Sequence, residues 1–394
     1  MEQSALEKNK GFKINLKQYG MMIALVVIFL VFSILSSGKN VTAMNINNLI
    51  MQNSYVVILA IGMLLCIITG NVDLSVGSVV AFTGAVCAIL VLDYKVPIPL
   101  AFLLILIIGL VIGMWQGFFI AKLHVPPFIV TLANMLVFRG LTMVALNGQT
   151  KGPLPEAYTI IGAGYLPRLF GRFGNIELEL ISLAVGIIGS ILFIMVEFKN
   201  IATKKKYHFA TPPLWQTLVK LAIIAFILNF FTVKLSMYNG LPVVLLIMLI
   251  LILVYSFVST RMVVGRQVYA VGGNEKAARL SGINTERVMF WVYANMGLLC
   301  GLAGIVLSAR NASATPKAGD GFELDAIASC YIGGASAYGG TGTIIGAVVG
   351  ALIMGVLNNG MSLIGWSVDI QRVVKGLVLL GAVTVDLLSK QKRK

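Results

Sequence analysis

Charge is what this chain has least of. Charged residues fill only 11% of its 394 positions, against about 25% in soluble domains, so much of its surface must face something other than water. Acidic side chains are scarcest, with 15 Asp and Glu against 30 Lys and Arg. Histidine occurs twice (His124, His208) and cysteine four times (Cys66, Cys87, Cys300, Cys330). The cysteines all fall in apolar runs without metal-type spacing, so they read as reduced packing residues, not a disulfide framework. So small a stock of ligand side chains argues against a zinc or haem enzyme. No Lys-Ser or Lys-Thr follows the glycines of Gly339–Gly346, no Walker-type motif occurs elsewhere, and no nucleophile–base–orienter set can be picked out. Any ATP chemistry must come from a partner. The chain is expected to be non-catalytic, with no metal and no bound cofactor.

What is abundant is apolar length. The chain is 58% hydrophobic with a mean hydropathy of +0.93. Runs of about 20 apolar residues, each enough to span a bilayer core of about 30 Å, recur from end to end. The alternation of a transmembrane barrel is absent. The expected fold is an all-α polytopic integral membrane protein with about twelve transmembrane helices. Candidate spans lie at 19–36, 48–69, 75–92, 97–121, 128–146, 179–197, 216–233, 241–258, 287–307, 324–338, 342–363 and 370–388. They form one transmembrane domain, 19–388, between a polar tail, 1–18, and a basic tail, 389–394. The first tail carries Lys8, Lys10, Lys13 and Lys17, and the run from Tyr19 lacks a small-residue cleavage site, so it reads as an uncleaved first span. A net charge of +15 would suggest nucleic acid in a soluble protein. Here the positive-inside rule accounts for it, and no nucleic-acid partner is expected. With the N-terminus inside, Lys122–His124, Lys199–Lys206, Arg261–Arg279 and Lys390–Lys394 fall inside, whereas Lys39, Lys95, the Lys151–Arg172 loop and Arg310–Lys317 fall outside. Both termini are then cytoplasmic. The 324–338 run is short, Gly-rich and opens with Glu323 and Asp325, which also suits a broken helix covered by protein.

The two halves echo one another. Asn45-Ile46-Asn47-Asn48 precedes Leu64-Leu65-Cys66 as Gly282-Ile283-Asn284 precedes Leu298-Leu299-Cys300. Asp73-Leu74-Ser75 matches Glu323-Leu324-Asp325, Gly109/Gly113/Gly117 match Gly346/Gly350, and Phe138-Arg139-Gly140 matches Val374-Lys375-Gly376. The first copy starts outside and the second inside, which makes an inverted internal repeat, the transporter device that builds two gates around one site. The pair at about 179–233, with its Lys204-Lys205-Lys206 loop, has no counterpart and reads as an insertion whose lysines serve topology and anionic-lipid contact.

Between two apolar runs lies a polar, Gly-punctuated loop at about 259–286. In it, Asn274 suits an N-cap, Glu275 the positive end of a short helix, and Gly282 the positive φ that ends one. Ala277 and Ala278 are strong helix formers small enough for close docking. On spacing alone this is a turn, a short amphipathic helix and a turn, equally an ordinary loop or a docking element. Asp73, in Gly70-Asn71-Val72-Asp73-Leu74-Ser75-Val76-Gly77-Ser78, either caps the following helix or braces a broken helix beside a pathway. Pro126-Pro127 starts a helix cleanly. Arg139 and Lys375 lie within spans, where snorkelling outward is the simpler account and pairing with carboxylates the other.

The stretch Val271–Asn284, the Asp73 segment, the Glu323–Gly334 segment and Pro127-Phe128-Ile129-Val130-Thr131-Leu132 together resemble the permease subunits of the ribose/galactose/xylose family of ATP-driven sugar importers. The resemblance runs from about 41 to 388 apart from the inserted pair, and the longer form looks most like permeases for xylose and for multiple monosaccharides. It implies a ten-helix core plus the inserted pair, in a bacterial cytoplasmic membrane, as a homodimer. Implied partners are a twin-cassette ATPase holding ATP and magnesium, an extracytoplasmic sugar-binding protein, a monosaccharide substrate and membrane lipid. Gly272, Gly273, Asn274, Glu275, Ala277, Ala278, Arg279 and Gly282 would form the ATPase-coupling loop. Asn71, Asp73, Ser75, Asn134, Asn295 and Asp325 are the candidates for the translocation pathway. The competing expectation is a stand-alone secondary transporter or facilitator for a small polar solute, with Asp73 and Asp325 coupling to an ion.

Overall fold

The structure, a computed structural model, describes residues 16–173, 176–207, 209, 211 and 213–391. The tail lysines Lys8, Lys10 and Lys13, His208, and residues 392–394 lie outside the described residues.

Every expected span holds a helix. They are α1 (Leu16–Leu35), α2 (Ala43–Ile68), α3 (Val76–Leu92), α4 (Ile98–Ala121), α5 (Pro127–Ala145), then α7 (Leu180–Lys206), α8 (Leu214–Ser236), α9 (Val243–Arg261), α12 (Thr285–Asn311), α13 (Phe322–Ile332), α14 (Ile344–Leu363) and α15 (Val368–Gln391). Between them lie α6 (Glu156–Ala163), the strands β1 (Phe170–Phe173) and β2 (Ile176–Glu179), and the connecting helices α10 (Val263–Gly273) and α11 (Glu275–Leu280). Among the described residues eight helices are long and apolar enough to cross a membrane, by length and composition. The starts follow local chemistry. Thr42 and Thr343 accept backbone N–H bonds at the heads of α2 and α14, and Pro127 occupies the first position of α5, where its missing N–H costs nothing.

The 324–338 run takes its broken-helix alternative: α13 ends at Ile332, and its 11 residues rise only about 16 Å. Two features depart from the sequence reading. The Lys151–Arg172 loop continues into an antiparallel hairpin, Phe170 opposite Glu179 and Phe173 opposite Ile176, a small exception to the all-α pattern. The polar loop holds two helices where one was expected.

Among the eight long apolar helices α2, α12 and α14 are the most enclosed, and the inserted pair and α9 the least. α4 crosses α12 through Gly109, Gly113 and Gly117 against Gly297 and Gly301. A Cβ on Gly113 would lie 2.3 Å from the Tyr293 carbonyl oxygen, so these backbones touch because no side chain intervenes. The inverted repeat appears in the packing. α12 contacts α3 and α4 as α2 contacts α13 and α14, and α5 lies on α3 as α15 lies on α13. The glycine echo does not extend to partners: Gly346 and Gly350 of α14 pack against Gly333 and Ser329 of α13.

α10 and α11 define what is called here the near end of the bundle. From the opposite, far end, the chain after α12 turns back into the protein. A Cβ on Gly77, one residue into α3, would lie 2.1 Å from the Gly319 carbonyl oxygen. Arg139 donates to the carbonyls of Pro316 (3.2 Å) and Ala318 (2.7 Å) in the same stretch. α3 and α13 therefore begin inside the bundle with their N-termini against one another, the irregular backbone before α13 being enclosed by protein.

Candidate functional site

The polar loop folds much as its residues require. Asn274 Oδ1 accepts the Ala277 N–H at 3.0 Å, Glu275 occupies the first turn of α11 and Arg279 the last. Gly282 takes φ +82° and ends the helix, and Asn284 Oδ1 accepts the Arg287 N–H at 2.8 Å to start α12. Gly273, Asn274, Glu275, Lys276, Ala277 and Arg279 are exposed, whereas Ala278 is 5% exposed and faces the bundle. Leu280 is the residue sequence reasoning missed. It is 91% exposed, a lone leucine at the tip of a polar helix, and its signal was an apolar side chain where the pattern wants a polar one.

The base of α11 is tied in two ways. Glu286 at the start of α12 receives Arg279 (3.4 Å), Lys122 (3.3 Å) and the His124 ring (3.8 Å). Exposed pairs are each worth less than about 1 kcal/mol, but three on one carboxylate orient α11 against the α4–α5 turn. The second tie is a glycine joint. Gly272 sits so close to the end of α2 that an added Cβ would lie 1.6 Å from the Ile68 carbonyl oxygen. The Gly340 N–H donates to that same oxygen at 2.8 Å. Gly339 and Gly340 take φ +78° and +73° to bring the α13–α14 turn there. Tyr269 Oη donates to the Gly342 carbonyl at 2.7 Å. Burial pushes the Tyr269 phenol up, so it stays a protonated donor. α10, which leads into α11, is thus joined to α2 and to the turn behind α13.

The pathway candidates do not form one cluster. Asp73 Oδ1 accepts the Ser75 N–H (2.8 Å) and hydroxyl (2.6 Å) at the head of α3, and Gln116 of α4 donates to Ser75 Oγ. Asn71 lies beside them, donating to the Thr69 carbonyl at 3.2 Å and reaching Met289 Sδ at 3.4 Å. Asp325 lies apart in α13, with the Lys375 ammonium 2.9 Å from Oδ1 and 3.0 Å from Oδ2. Asn295 accepts the Tyr255 hydroxyl on the α9–α12 face, and Asn134 is buried on α5 with no partner for its Nδ2 among the described residues. Snorkelling does not describe Lys375 or Arg139. Both turn inward, because an unpaired carboxylate or carbonyl at this depth is more expensive than burying the cation beside it. Asp73, Ser75 and Asp325 are all buried, so solvent does not reach them in this conformation. Among the described residues no group of three or more His, Cys, Asp or Glu side chains is placed to hold a metal ion. What the arrangement can do is dock a partner at α11 and carry its movement inward.

Comparison with known proteins follows this geometry. Residues 45–383 match the family described as Branched-chain amino acid transport system / permease component. The xylose transport system permease protein XylH of Haemophilus influenzae is 39% identical over 379 residues, covering 96% of this chain and 98% of that protein. The Escherichia coli protein of the same name is 38% identical, with 96% and 94% covered. The ribose import permease protein RbsC of Escherichia coli is 38% identical over 365 residues, with 93% and 92% covered. No solved structure matches the chain.

Proposed function

The chain belongs to the Branched-chain amino acid transport system / permease component family, and on that membership we propose that it is the membrane subunit of an ATP-driven importer for xylose or a related pentose or hexose. It is a multi-pass membrane protein and a non-catalytic transport component. Membership implies an ATPase and a substrate-binding partner. The finer reading makes the ATPase a twin-cassette subunit that holds ATP and magnesium. It makes the binding protein extracytoplasmic and the permease a homodimer in the bacterial cytoplasmic membrane. The near end is then cytoplasmic, with both termini on that side.

One observation carries this reading. α11 is capped at both ends, tied at its base and presents exposed Leu280 to a partner. A stand-alone facilitator has no use for such an element. A short rigid helix laid in a groove is a recurrent recognition mode. Once seated there, closure of the ATPase favours one of two permease conformations by the difference in its affinity for them. Gly272, Gly273, Asn274, Glu275, Ala277, Arg279 and Gly282 then serve docking and transmission. Ala278 supports α11 from beneath.

The test is uptake of radiolabelled xylose into proteoliposomes, with the ATPase and the binding protein each added or omitted. Uptake that needs both and ATP on the near side is expected, with unlabelled ribose or leucine as competitors to rank substrate class. Uptake by this chain alone, or driven by an ion gradient, would overturn the proposal.

A further inference from the structure

We propose that the near-end mouth of the inserted α7–α8 hairpin is a binding site for the phosphate headgroup of an anionic phospholipid. The proposal depends only on α7 and α8 spanning a bilayer, so it stands or falls apart from the sugar reading.

The hairpin is an appendage. α8 leans on α2, and α7 packs mainly on α8. Glu179 fixes its far end: its carboxylate accepts the N–H groups of Ile181 (2.8 Å) and Ser182 (2.7 Å), and its carbonyl accepts the Ser236 hydroxyl (2.8 Å). Length then decides what the other end meets. α7 has 27 residues, about 40 Å at 1.5 Å per residue. A hydrocarbon core of about 30 Å is used up near Asn200, so the turn from Asn200 to Lys206 lies in the headgroup layer.

There the two helices separate around an open cleft of about 350 Å³, lined by Glu197, Asn200, Ile201, Thr203, Lys204 and Lys220. Lys220 crosses from α8 to pair with Glu197 at 2.7 Å, which closes the floor. Lys204, at the rim, has no ion-pair partner among the described residues, and the Asn200 amide has no hydrogen bond among them. Lys199, Lys205 and Lys206 lie on the same end of α7 outside this lining, so cations far outnumber the single carboxylate. Below the cleft the hairpin presents exposed Ile188, Leu192 and Met195 of α7 and Val219 and Ile223 of α8. A phosphate held in a cationic cleft at headgroup depth leaves its acyl chains to lie along these apolar outer faces, which a soluble phosphate would leave uncovered. Basic pockets between spans at the inner surface bind anionic headgroups in this way.

The experiment is native mass spectrometry of the full chain released from nanodiscs of equal phosphatidylglycerol and phosphatidylcholine, with retained lipids counted. Wild type should retain phosphatidylglycerol preferentially. Lys204→Ala should lower that preference about fivefold, and Lys204→Ala with Lys220→Gln about 25-fold, from the loss of one direct contact to the phosphate per lysine. The pair Lys205→Ala and Lys206→Ala removes equal charge outside the cleft and should leave most of the preference. Phosphatidylcholine discs with millimolar inorganic phosphate should show no phosphate adduct removed by Lys204→Ala. Lys204 is exposed, so its variant should fold, and melting of each variant checks this. Equal retention of the two lipids by wild type would overturn the proposal. So would equal loss in the two double variants, or a Lys204-dependent adduct of inorganic phosphate.

Discussion

One methyl group on Gly272 should separate docking from transport. An alanine Cβ there would lie 1.6 Å from the Ile68 carbonyl oxygen, 2.7 Å from its carbon and 2.9 Å from the Gly340 nitrogen. All three are backbone atoms, so no side chain can swing clear. Carbon–oxygen contact begins at about 3.3 Å, and α10 must draw back from α2 by more than about 1.5 Å. Tyr269 moves with α10, so its bond to the Gly342 carbonyl is lost. Overpacking costs about 1–3 kcal/mol, and an unpaired enclosed backbone group about 1–3 kcal/mol more. A loss of about 2–6 kcal/mol in the joint follows. Gly273 is the internal control: a Cβ there meets nothing within 4 Å. The assay is thermal melting of both variants in nanodiscs, then xylose uptake and ATP hydrolysis in proteoliposomes carrying the ATPase. Gly272→Ala should melt earlier and still co-purify with the ATPase, because α11 keeps its exposed face. Its transport per ATP should fall at least about tenfold, the effect of 1.4 kcal/mol. Gly273→Ala should melt like wild type. A Gly272→Ala protein that melts and transports normally would refute the reasoning, as would equal melting damage from Gly273→Ala.

Three further outcomes are expected. Leu280→Asp should weaken co-purification with the ATPase about 10- to 100-fold, the burial of one leucine being worth about 1.5–3 kcal/mol, without lowering the melting temperature; unchanged co-purification would remove α11 from the interface. Lys375→Met leaves the Asp325 carboxylate enclosed without its cation and should cost about 3–5 kcal/mol. Adding Asp325→Asn should recover most of that, whereas additive damage would contradict the pair. Glu179→Ala removes the cap of α7 and should cost about 0.5–2 kcal/mol. Faster hydrogen exchange at Ile181 and Ser182 is its signature, and exchange at the wild-type rate would count against the cap.

What was legible in the sequence was whatever is decided locally. Apolar length located all twelve helices, because a bilayer demands it wherever a helix crosses. Asn274, Gly282 and Pro127 marked helix ends because each residue's own backbone chemistry does so. The stop of α13 was legible as the broken-helix alternative of a short Gly-rich run, and Gly334 at φ +84° makes it. Features decided by contact were not legible. The inward turn of Arg139 depends on the carbonyls of Pro316 and Ala318, which lie on a distant connection. Ala278 read as an interface residue because its smallness fits docking. The same smallness fits the bundle side of α11, and the choice of face belongs to packing. Gln116 was passed over because a single glutamine in an apolar run has no pattern until Ser75 is placed beside it.

The ties at the near end also constrain how movement could travel. α11 is joined to α12 through the Ser281–Asn284 turn and Glu286, and to α2 through Gly272 and Ile68. α2 and α12 are counterparts in the repeat, and they run in opposite directions. A push at the near end therefore acts on the last turn of one and the first turn of the other. Each leads into a broken element, α3 after α2 and α13 after α12, and those elements start against one another at Gly77 and Gly319. The α13–α14 turn, hydrogen-bonded to Ile68, binds the second of these elements to the first helix of the other half. Displacing α11 therefore loads both halves at once, and the glycine meeting of α3 and α13 is where their broken elements adjoin.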